Sequence, residues 1–503
     1  MSSPPPSARP SDPVPAPPPQ PAPVRRRGAA LVVLCFVQFM LVLDDNVVSV
    51  ALPTVRDTLG FGAAGLAWVV NAYFLAFGGL LLLFGRAADL LGRRRVFLCG
   101  VALFGAASLV CGLAQEPWQL VAGRFAQGTG AAMASPAALA LITLLYPGPG
   151  ERARALGIWG GIAALGGTLG LVISGLLTGL ASWRWIFLIN LPVAALALLL
   201  LPRLVAESRS PRRARLDVPG ALLGTGALLS LVHGLLQAGE SGGGAGDGSG
   251  GATGWGSASV VVPLALAAVL ACAFLAVEAR TAEPLVPPSF LASRIRAVAN
   301  GATLLFSAAF YAMAFLLMIH LQSVLGYGPL RAGLAYLPYG VGILAGMWLS
   351  SRAVSRLGAR TAITGGLLVS AAGLLLLSGV APGDTYVWGV MPGMLVTSLG
   401  CGVCLPALTV AAVTGTTGEN AGLGSAVVTS VQQVGGAVGV AVLVSLAARR
   451  GDATDGAEAA RRAATEGYAT ALTVAAVLVL LSALLVALLA ERRPGTADRP
   501  GPS

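Results

Sequence analysis

The chain has 503 residues, of which 56% are hydrophobic and only 11% charged, with a mean hydropathy of +0.80. A soluble domain carries about a quarter charged residues, so this composition excludes an ordinary soluble protein. The formal net charge of +11 comes from arginines that lie mostly in short loops between apolar segments, and there is no lysine. We therefore expect no nucleic-acid partner and no lysine-dependent phosphate-binding loop.

Stretches of mostly apolar residues recur along the chain, and a helix needs roughly 20 such residues to cross a bilayer. The proline-rich residues 1–28 and the polar residues 491–503 instead predict disordered tails. We predict an all-α polytopic membrane protein with fourteen spans, near residues 29–53, 65–85, 96–115, 119–145, 155–179, 185–202, 217–238, 258–278, 298–322, 331–351, 361–381, 386–411, 422–448 and 467–490.

The arginines are unevenly distributed among the loops. The N-terminal tail, the loops that follow even-numbered spans and the C-terminal tail hold most of the 32 basic residues. Since arginine-rich short loops stay on the cytoplasmic side, this distribution predicts that both termini are cytoplasmic. Arginine in place of lysine, with abundant Ala, Gly and Pro, indicates GC-rich coding. We therefore expect a multi-pass protein of a bacterial cytoplasmic (inner) membrane.

Two pairs of segments resemble each other in the same order along the chain. GRAADLLGRR at 85–94 resembles SRAVSRLGAR at 351–360, and the segment 150–170 resembles 418–439. Such collinear matches predict two homologous halves of six spans each. Two parallel halves with a site between them near the midplane are typical of transporters that work by alternating access.

The repeat leaves a segment between the halves that carries two additional spans. The predicted organisation is a tail, a first half, a linker with two spans, a second half and a tail, at residues 1–28, 29–205, 206–296, 297–490 and 491–503. Within the linker, the glycine-rich stretch 239–254 has the composition of a flexible connection.

Two adjacent acidic residues, Asp44 and Asp45, lie deep in the first span. A charged side chain at the centre of a membrane costs about 2.5–3.5 kcal/mol on insertion scales and usually faces a cavity or a partner. Burial favours the neutral form of a carboxyl group, so such a group can exchange protons near neutral pH. Consecutive residues point about 100° apart on a helix, so we expect only one of the two to face the cavity. Arg124 in the fourth span could hold such a carboxylate ionised.

Several motifs resemble those of one transporter family. The segment GRAADLLGRRR at 85–95 resembles the signature between the second and third helices of the major facilitator superfamily. LDDNVVSVALP at 43–53 and RFAQGTGAA at 124–132 resemble its first-helix and fourth-helix signatures. Together with the segments 182–192 and 422–442, these motifs are similar to the fourteen-helix drug:proton antiporter family along almost the whole folded chain.

The resemblance implies both a fold and a function. The fold is the major facilitator fold, with two six-helix halves plus two inserted helices. The function is multidrug or antibiotic efflux, in which protons moving inward drive an amphipathic small molecule outward. Such a transporter needs no cofactor besides the proton motive force, and we expect a single chain to function as a monomer in the lipid bilayer.

The resemblance also implies roles for the buried charges. Asp44 aligns with the family aspartate, so we favour it over Asp45 as the proton carrier, and Arg124 is assigned a role in proton transfer. The alternative is that Asp44 and Arg124 form a purely structural pair.

The charged loop after the second span is interpreted as a conformational latch. Asp89 would pair with an arginine or a helix N-terminus on the neighbouring span and hold the cytoplasmic gate shut in one state. The residues of this latch are Gly85, Asp89, Gly92, Arg93, Arg94 and Arg95.

Polar and aromatic side chains within the apolar spans are candidates for contact with a substrate. The substrate-cavity candidates are Gln38, Asn71, Gln127, Phe310, Gln322 and Gln432. The candidates for helix packing and gating are Gln127, Gly128, Gly166, Gly170 and Gly175. In the fifth span, Leu171 and Ser174 replace a proline and a glycine of the antiporter signature. This departure keeps a dedicated metabolite exporter or importer of the same superfamily open as an alternative.

An enzyme or sensor is the contrasting class. The sequence has no Walker motif, no cluster with metal-ligand spacing and no nucleophile constellation, so we expect neither an enzyme nor a metal site. His233 and His320 each lie alone in a span, and we interpret them as packing residues.

Overall fold

The computed structural model describes residues 24–208, 216–240, 255–281, 283–381, 383–414, 421–448 and 457–489. Within these ranges the chain contains helices and no strand, and fourteen helical segments are long and apolar enough to cross a membrane. This confirms the predicted all-α fold with fourteen spans. The predictions for residues 1–23, 241–254 and 491–503 lie outside the described part of the chain.

The spans follow one another with short connections. The first six are α1 (Val24–Leu59), α2 (Ala63–Leu91), α3 (Arg93–Leu113), α4 (Pro117–Leu145), α5 (Pro149–Leu180), and the pair α6 (Trp185–Leu188) and α7 (Asn190–Leu204). The inserted pair is α8 (Val218–Glu240) and α9 (Ala258–Arg280), and a short α10 (Pro288–Leu291) follows. The last six are α11 (Arg294–Ile319), the pair α12 (Pro329–Ala335) and α13 (Leu337–Leu357), α14 (Ala359–Ser378), α15 (Met391–Ala412), α16 (Ala421–Ala448) and α17 (Ala457–Leu489).

Two predicted boundaries were wrong by a few residues. Helix α1 already begins at Val24, so residues 24–28 of the predicted tail are helical. The run of prolines that disfavours a helix ends at Pro23, and nothing in the next five residues interrupts helical hydrogen bonding. Within the linker, Gly239 and Glu240 belong to α8 and not to the predicted flexible connection 239–254.

The tenth span is interrupted at Tyr336, between α12 and α13. Pro338 lies in the first turn of α13. A proline has no backbone N–H and its ring conflicts with the carbonyl four residues earlier, so a continuous helix is disfavoured at this point. The ninth and twelfth spans also change geometry, with π-helical turns at His320–Val324 and Tyr386–Val390.

The turns at Gly92 and Gly358 share an unusual backbone conformation. Gly92 has a φ of +116° between α2 and α3, and Gly358 has a φ of +83° between α13 and α14. Side-chain-bearing residues rarely adopt such angles, so both turns require glycine. The two glycines occupy the same position in the repeated segments 85–94 and 351–360. The sequence repeat is therefore accompanied by a repeat in backbone geometry.

Helix packing repeats along with the sequence. In the first six spans α3 packs on α4 and α7, α2 on α4, and α1 on α5 and α7. The corresponding contacts recur in the last six spans, where α14 packs on α15 and α17, α13 on α15, and α11 on α16 and α17. Between the two sets, α2 packs on α16 and α5 on α12.

The inserted pair lies on one side of this arrangement. Helix α8 packs on both α2 and α16, and Ser445 of α16 donates a hydrogen bond to the Leu235 carbonyl of α8 at 3.1 Å. Arg86 at the end of α2 donates to the carbonyls of Glu283 and Pro284, just after α9, at 2.9 and 2.5 Å. The end of the bundle that carries Arg86 and Arg93–Arg95 is called the arginine-rich end below.

Candidate proton and substrate site

A buried ion pair joins the first and fourth spans near the middle of the bundle. Arg124 Nη1 donates to Asp44 Oδ2 at 2.5 Å, and both side chains are completely buried. The other carboxyl oxygen of Asp44 accepts from Gln127 Nε2 at 3.0 Å and from Asn190 Nδ2 at 2.8 Å. Ser108 accepts from both of these amides, at 2.8 and 3.3 Å. Four helices, α1, α3, α4 and α7, therefore converge on one carboxylate.

The Arg124 guanidinium has partners on several sides. Its Nε donates to the Val69 carbonyl at 3.0 Å, and Nη1 also donates to Gln127 Oε1 at 2.9 Å. Its central carbon lies 4.4 Å from the centre of the Tyr73 ring, a cation–π arrangement. A buried ion pair is stable only when such additional bonds satisfy the remaining polar atoms.

Asp45 lies next to Asp44 in sequence but in different surroundings. It is partly buried, and its Oδ1 atom has no hydrogen-bond partner although it is shielded from solvent. Its nearest group from the last six spans is the Tyr311 side chain of α11, which lies close enough to interact with the carboxyl group. Asp44 thus points into the first six spans and Asp45 towards the last six, and that only one of them faces a cavity stays a prediction.

An aromatic cluster lies around Tyr311, where the two sets of spans meet. The Phe74 and Tyr311 rings are 4.7 Å apart in an edge-to-face arrangement, and Phe310 meets Tyr311 at 5.3 Å. Phe310 also stacks on Phe306 at 5.8 Å. Such rings offer an apolar surface with a negative face, which suits amphipathic molecules.

The predicted substrate-contact residues divide into two groups. Gln127 and Gln322 are already engaged, because Gln127 belongs to the Asp44 network and Gln322 donates to the Val50 carbonyl at 2.8 Å. Gln38 and Asn71 are buried with unpaired polar atoms, namely Gln38 Oε1 and both amide atoms of Asn71. Gln432 is partly buried, whereas its neighbour Gln433 is buried with Oε1 unpaired. Buried polar groups without partners usually have an unseen one, such as water or a ligand.

The predicted packing glycines lie at helix crossings. A Cβ atom on Gly128 would collide with the Tyr73 carbonyl of α2. On Gly166 and Gly170 it would lie 3.2 and 3.4 Å from carbonyls of α1, and on Gly175 2.6 Å from the Pro329 carbonyl of α12. These glycines allow the backbones to approach closely.

The fifth and tenth spans cross at the end away from the arginine-rich end. There Gly175 and Leu171 of α5 cross Gly333 of α12. Towards the arginine-rich end, a Cβ atom on Gly157 or Gly160 would meet nothing within 4 Å, and the side chains of residues 151–160 of α5 and 347–357 of α13 are mostly exposed. The bundle is therefore closed at one end of this seam and open at the arginine-rich end.

The predicted latch forms local contacts in this state. Asp89 Oδ1 pairs with Arg93 at 2.7 Å across the Gly92 turn. The carboxylate of Glu207 accepts from the backbone N–H groups of Arg94 and Arg95, both at 3.1 Å, and so caps the N-terminus of α3. A Cβ atom on Gly85 would lie 3.7 Å from the Cβ atom of Pro136, so this glycine lies beside α4. Asp89 thus pairs with an arginine of the neighbouring span, as expected, but Glu207 holds the helix end.

Sequence reasoning missed three of these residues. Asn190 lies within the quoted segment 182–192, but nothing in that segment distinguishes it from other polar residues. Glu207 and Ser108 carry no motif at all. Their partners are 113 and 19 residues away in the chain, so only the packing of helices reveals them.

The histidines do not form a metal centre. No group of three or more potential ligands occurs among the described residues. His233 lies 6.0 Å from the Trp68 ring, and His320 lies 5.1 Å from the Tyr468 ring with both ring nitrogens unpaired.

A bundle of fourteen membrane-spanning helices, with a buried ion pair at its centre and one open end, has the architecture of a polytopic membrane transporter. A sequence profile described as Major Facilitator Superfamily matches residues 34–440. The chain belongs to the Major Facilitator Superfamily, which confirms the resemblance of its motifs.

Its relatives include antibiotic-resistance proteins. The chain is 40% identical to the puromycin resistance protein pur8 of Streptomyces alboniger over 95% of this chain and 94% of that protein. It is also 40% identical to the lincomycin resistance protein of Streptomyces lincolnensis, over 84% of this chain and 85% of that protein. Among solved structures, an auto-inhibited peptide transporter of the POT family shares the fold, with a TM-score of 0.67 at 14% identity, covering 94% and 99% of the two chains.

Proposed function

We propose that the protein is a proton-coupled exporter that moves an amphipathic antibiotic-like molecule out of the cell. It would lie in a bacterial cytoplasmic membrane, with both termini and the arginine-rich end on the cytoplasmic side. The observation that carries the proposal is the group of buried charges Asp44, Asp45 and Arg124 beside the seam between two six-span halves. Intramembrane ionisable groups of this kind typically mark ion and proton pathways. The puromycin and lincomycin resistance proteins among its relatives support a drug or antibiotic as the cargo.

The open arginine-rich end defines the state in the transport cycle. With that end in the cytoplasm, the structure is inward-open and can receive cargo from the cytoplasm or the inner leaflet. Export then requires the halves to rock about the site, so that the Gly175–Gly333 crossing separates. A proton that enters from outside supplies about 2.3 kcal/mol for each 100 mV of membrane potential.

The contacts with cargo would come from the unpaired polar groups and the aromatic cluster. Gln38 and Asn71 have free hydrogen-bonding atoms, and Phe310 contributes its partly buried ring. Gln127 and Gln322 would instead hold helices together, because both are engaged with neighbouring spans. Gln432 remains a candidate on α16.

The latch would act mainly in the opposite state. In the inward-open structure Asp89 and Arg93 form a pair that is partly exposed to solvent. Such exposed pairs contribute about 0–1 kcal/mol, so this contact does little to hold the present state. We propose that Asp89 stabilises the closed cytoplasmic gate once the halves have rocked.

The test uses proteoliposomes with a pH-sensitive dye inside and puromycin or lincomycin as the added compound. Proton flux triggered by either compound in the wild type, and lost in Asp44→Asn, supports antiport. Asp57→Asn is the matched control, because Asp57 lies in the same helix but is exposed and pairs only with Arg56. An absence of flux with both compounds in well-folded protein would contradict the proposal and favour a dedicated metabolite transporter.

A further inference from the structure

The two neighbouring aspartates of α1 differ in how easily each can accept a proton. Asp44 accepts hydrogen bonds from Arg124, Gln127 and Asn190. Each donor favours the charged form of the carboxyl group. A proton on Asp44 would also leave the fully buried Arg124 without its counter-ion, which is strongly unfavourable.

Asp45 accepts none of these three hydrogen bonds, although Arg124 and Tyr311 lie near enough to act on its charge. Its Oδ1 atom receives no hydrogen bond, although it is shielded from solvent. Burial penalises the charged form of a carboxyl group that lacks a donor at this oxygen, and a proton on the group removes that penalty. The charge of Asp45 can therefore change without breaking the network that joins α1, α3, α4 and α7.

We propose that Asp45, and not Asp44, is the carboxyl group that takes up and releases the transported proton. Asp44 is then a positioning residue that stays ionised against Arg124. This assignment rests on the proposed antiport and reverses the preference for Asp44 that the family motif suggests.

The proton path follows from the state of the bundle. In the outward-open state the Asp45 carboxylate takes a proton from water on the outer side, and an O–H bond forms. In the inward-open state this O–H bond breaks and the proton passes to water in the opening at the arginine-rich end. One proton moves from outside to inside, and the carboxylate is regenerated.

The groups around Asp45 come from both halves, so the surroundings of its carboxyl group depend on how the two halves are placed relative to each other. The charged and titratable residues that act on it are Asp44 of α1, Tyr73 of α2, Arg124 of α4 and Tyr311 of α11. Of these, only Tyr311 belongs to the second half. It also packs against Phe74, so a movement of α11 relative to α2 changes the surroundings of Asp45.

The first experiment needs no substrate. Full-length purified protein is treated with dicyclohexylcarbodiimide, which reacts with protonated carboxyl groups in apolar surroundings, and modified peptides are mapped by mass spectrometry at several pH values. We expect modification of Asp45 that decreases as the pH rises, with Asp44 unmodified. Modification of Asp44, or none at Asp45 at any pH, would overturn the assignment.

A second readout does not depend on access of the reagent. The infrared C=O band of a protonated carboxyl group is followed through a pH titration in wild type, Asp45→Asn and the double variant Asp44→Asn/Arg124→Gln. The double variant removes both charges together and so avoids leaving an unpaired buried ion. We expect the titrating band to vanish in Asp45→Asn and to persist in the double variant, and the reverse pattern would contradict the proposal.

Flux measurements separate this inference from the antiport proposal. Puromycin-triggered proton flux that survives Asp45→Asn would exclude Asp45 as the carrier and leave antiport intact. Conversely, pH-dependent modification of Asp45 without flux for puromycin or lincomycin would support the assignment and contradict the proposed cargo. We expect loss of flux in Asp45→Asn with unchanged thermal stability, because Asp45 supports no packing network.

Discussion

At the scale of single residues, the Asp44–Arg124 pair determines how the first six spans fit together. Both charges are removed from water, which costs several kcal/mol per ion unless the pair is fully hydrogen-bonded. Gln127 and Asn190 donate to Asp44, and Ser108 in turn accepts from both amides, whereas Arg124 Nη2 is buried without a partner. The same contacts that compensate the buried charge therefore fix the mutual rotation of four helices.

Replacement of Arg124 alone should damage the fold more than removal of both charges. Arg124→Gln leaves the Asp44 carboxylate buried without a cation, and we expect a loss of about 3–5 kcal/mol in stability. The double variant Asp44→Asn/Arg124→Gln should recover part of that loss, because no uncompensated charge remains. Thermal unfolding in detergent measures both variants, and equal stability of the single and double variants would contradict this account.

At the scale of helices, the N-terminus of α3 depends on a residue from the connection after α7. Glu207 accepts hydrogen bonds from the Arg94 and Arg95 N–H groups, and it lies beside their guanidinium groups at 3.8 and 3.7 Å. The negative charge also interacts favourably with the positive end of the helix dipole.

Loss of this cap should weaken the arginine-rich end. We expect Glu207→Ala to reduce stability by about 0.5–2 kcal/mol, the usual value for a helix cap. Glu207→Gln keeps an acceptor but loses the charge, so its effect should be smaller. Limited proteolysis of the connection between α2 and α3 reports the change, and a cleavage rate equal to that of wild type in Glu207→Ala would argue against the capping role.

The crossing of α5 and α12 sets how tightly the outer end closes. In Gly175→Ala the added methyl group would meet the Pro329 carbonyl at 2.6 Å, so the two helices must move apart. Overpacking of this kind costs about 1–3 kcal/mol and here destabilises the present state, in which this crossing is closed. We expect slower efflux of puromycin at equal incorporation into proteoliposomes. Gly365→Ala on α14 is the control, because its methyl group meets nothing within 4 Å, and equal rates for both variants would count against a gating role.

At the scale of the whole molecule, an approximate two-fold relation between the halves is broken by the inserted pair. The two halves meet on two sides of the bundle. The α2–α16 contact on one side corresponds to the α5–α12 contact on the other. Helix α8 packs on α2 and α16 and has no counterpart on the α5 side. Among the described residues, the inserted pair therefore packs beside the α2–α16 contact and not beside the α5–α12 contact.

Rocking of the halves should bring the parts of α5 and α13 at the arginine-rich end together. Spin labels at Ile158 and Trp348, both exposed in the present state, would report their separation after replacement of the native cysteines. We expect a long distance between the labels at high pH without cargo. When an inward proton gradient drives the cycle, a second population with a shorter distance between the labels should appear. A distance that never changes during measured transport would exclude this movement.

Much of the fold follows from the sequence because its determinants are local. Fourteen apolar runs predict the spans, and Gly92 and Gly358 mark turns that only glycine adopts readily. Pro338 accounts for the interruption of the tenth span between α12 and α13. Each of these signals acts through a few neighbouring residues, so it can be recognised without knowing which helices touch.

The site is only partly determined in this way. The sequence identified Asp44, Asp45 and Arg124 as buried charges, since ionisable residues stand out within apolar spans. The rotation and spacing of helices that are far apart in the chain determine which aspartate pairs with Arg124. They also determine that Asn190 donates to Asp44 and that Glu207 caps α3. The tertiary structure alone decides these pairings and the open end of the bundle, because they arise from packing between spans and not from the preferences of any one of them.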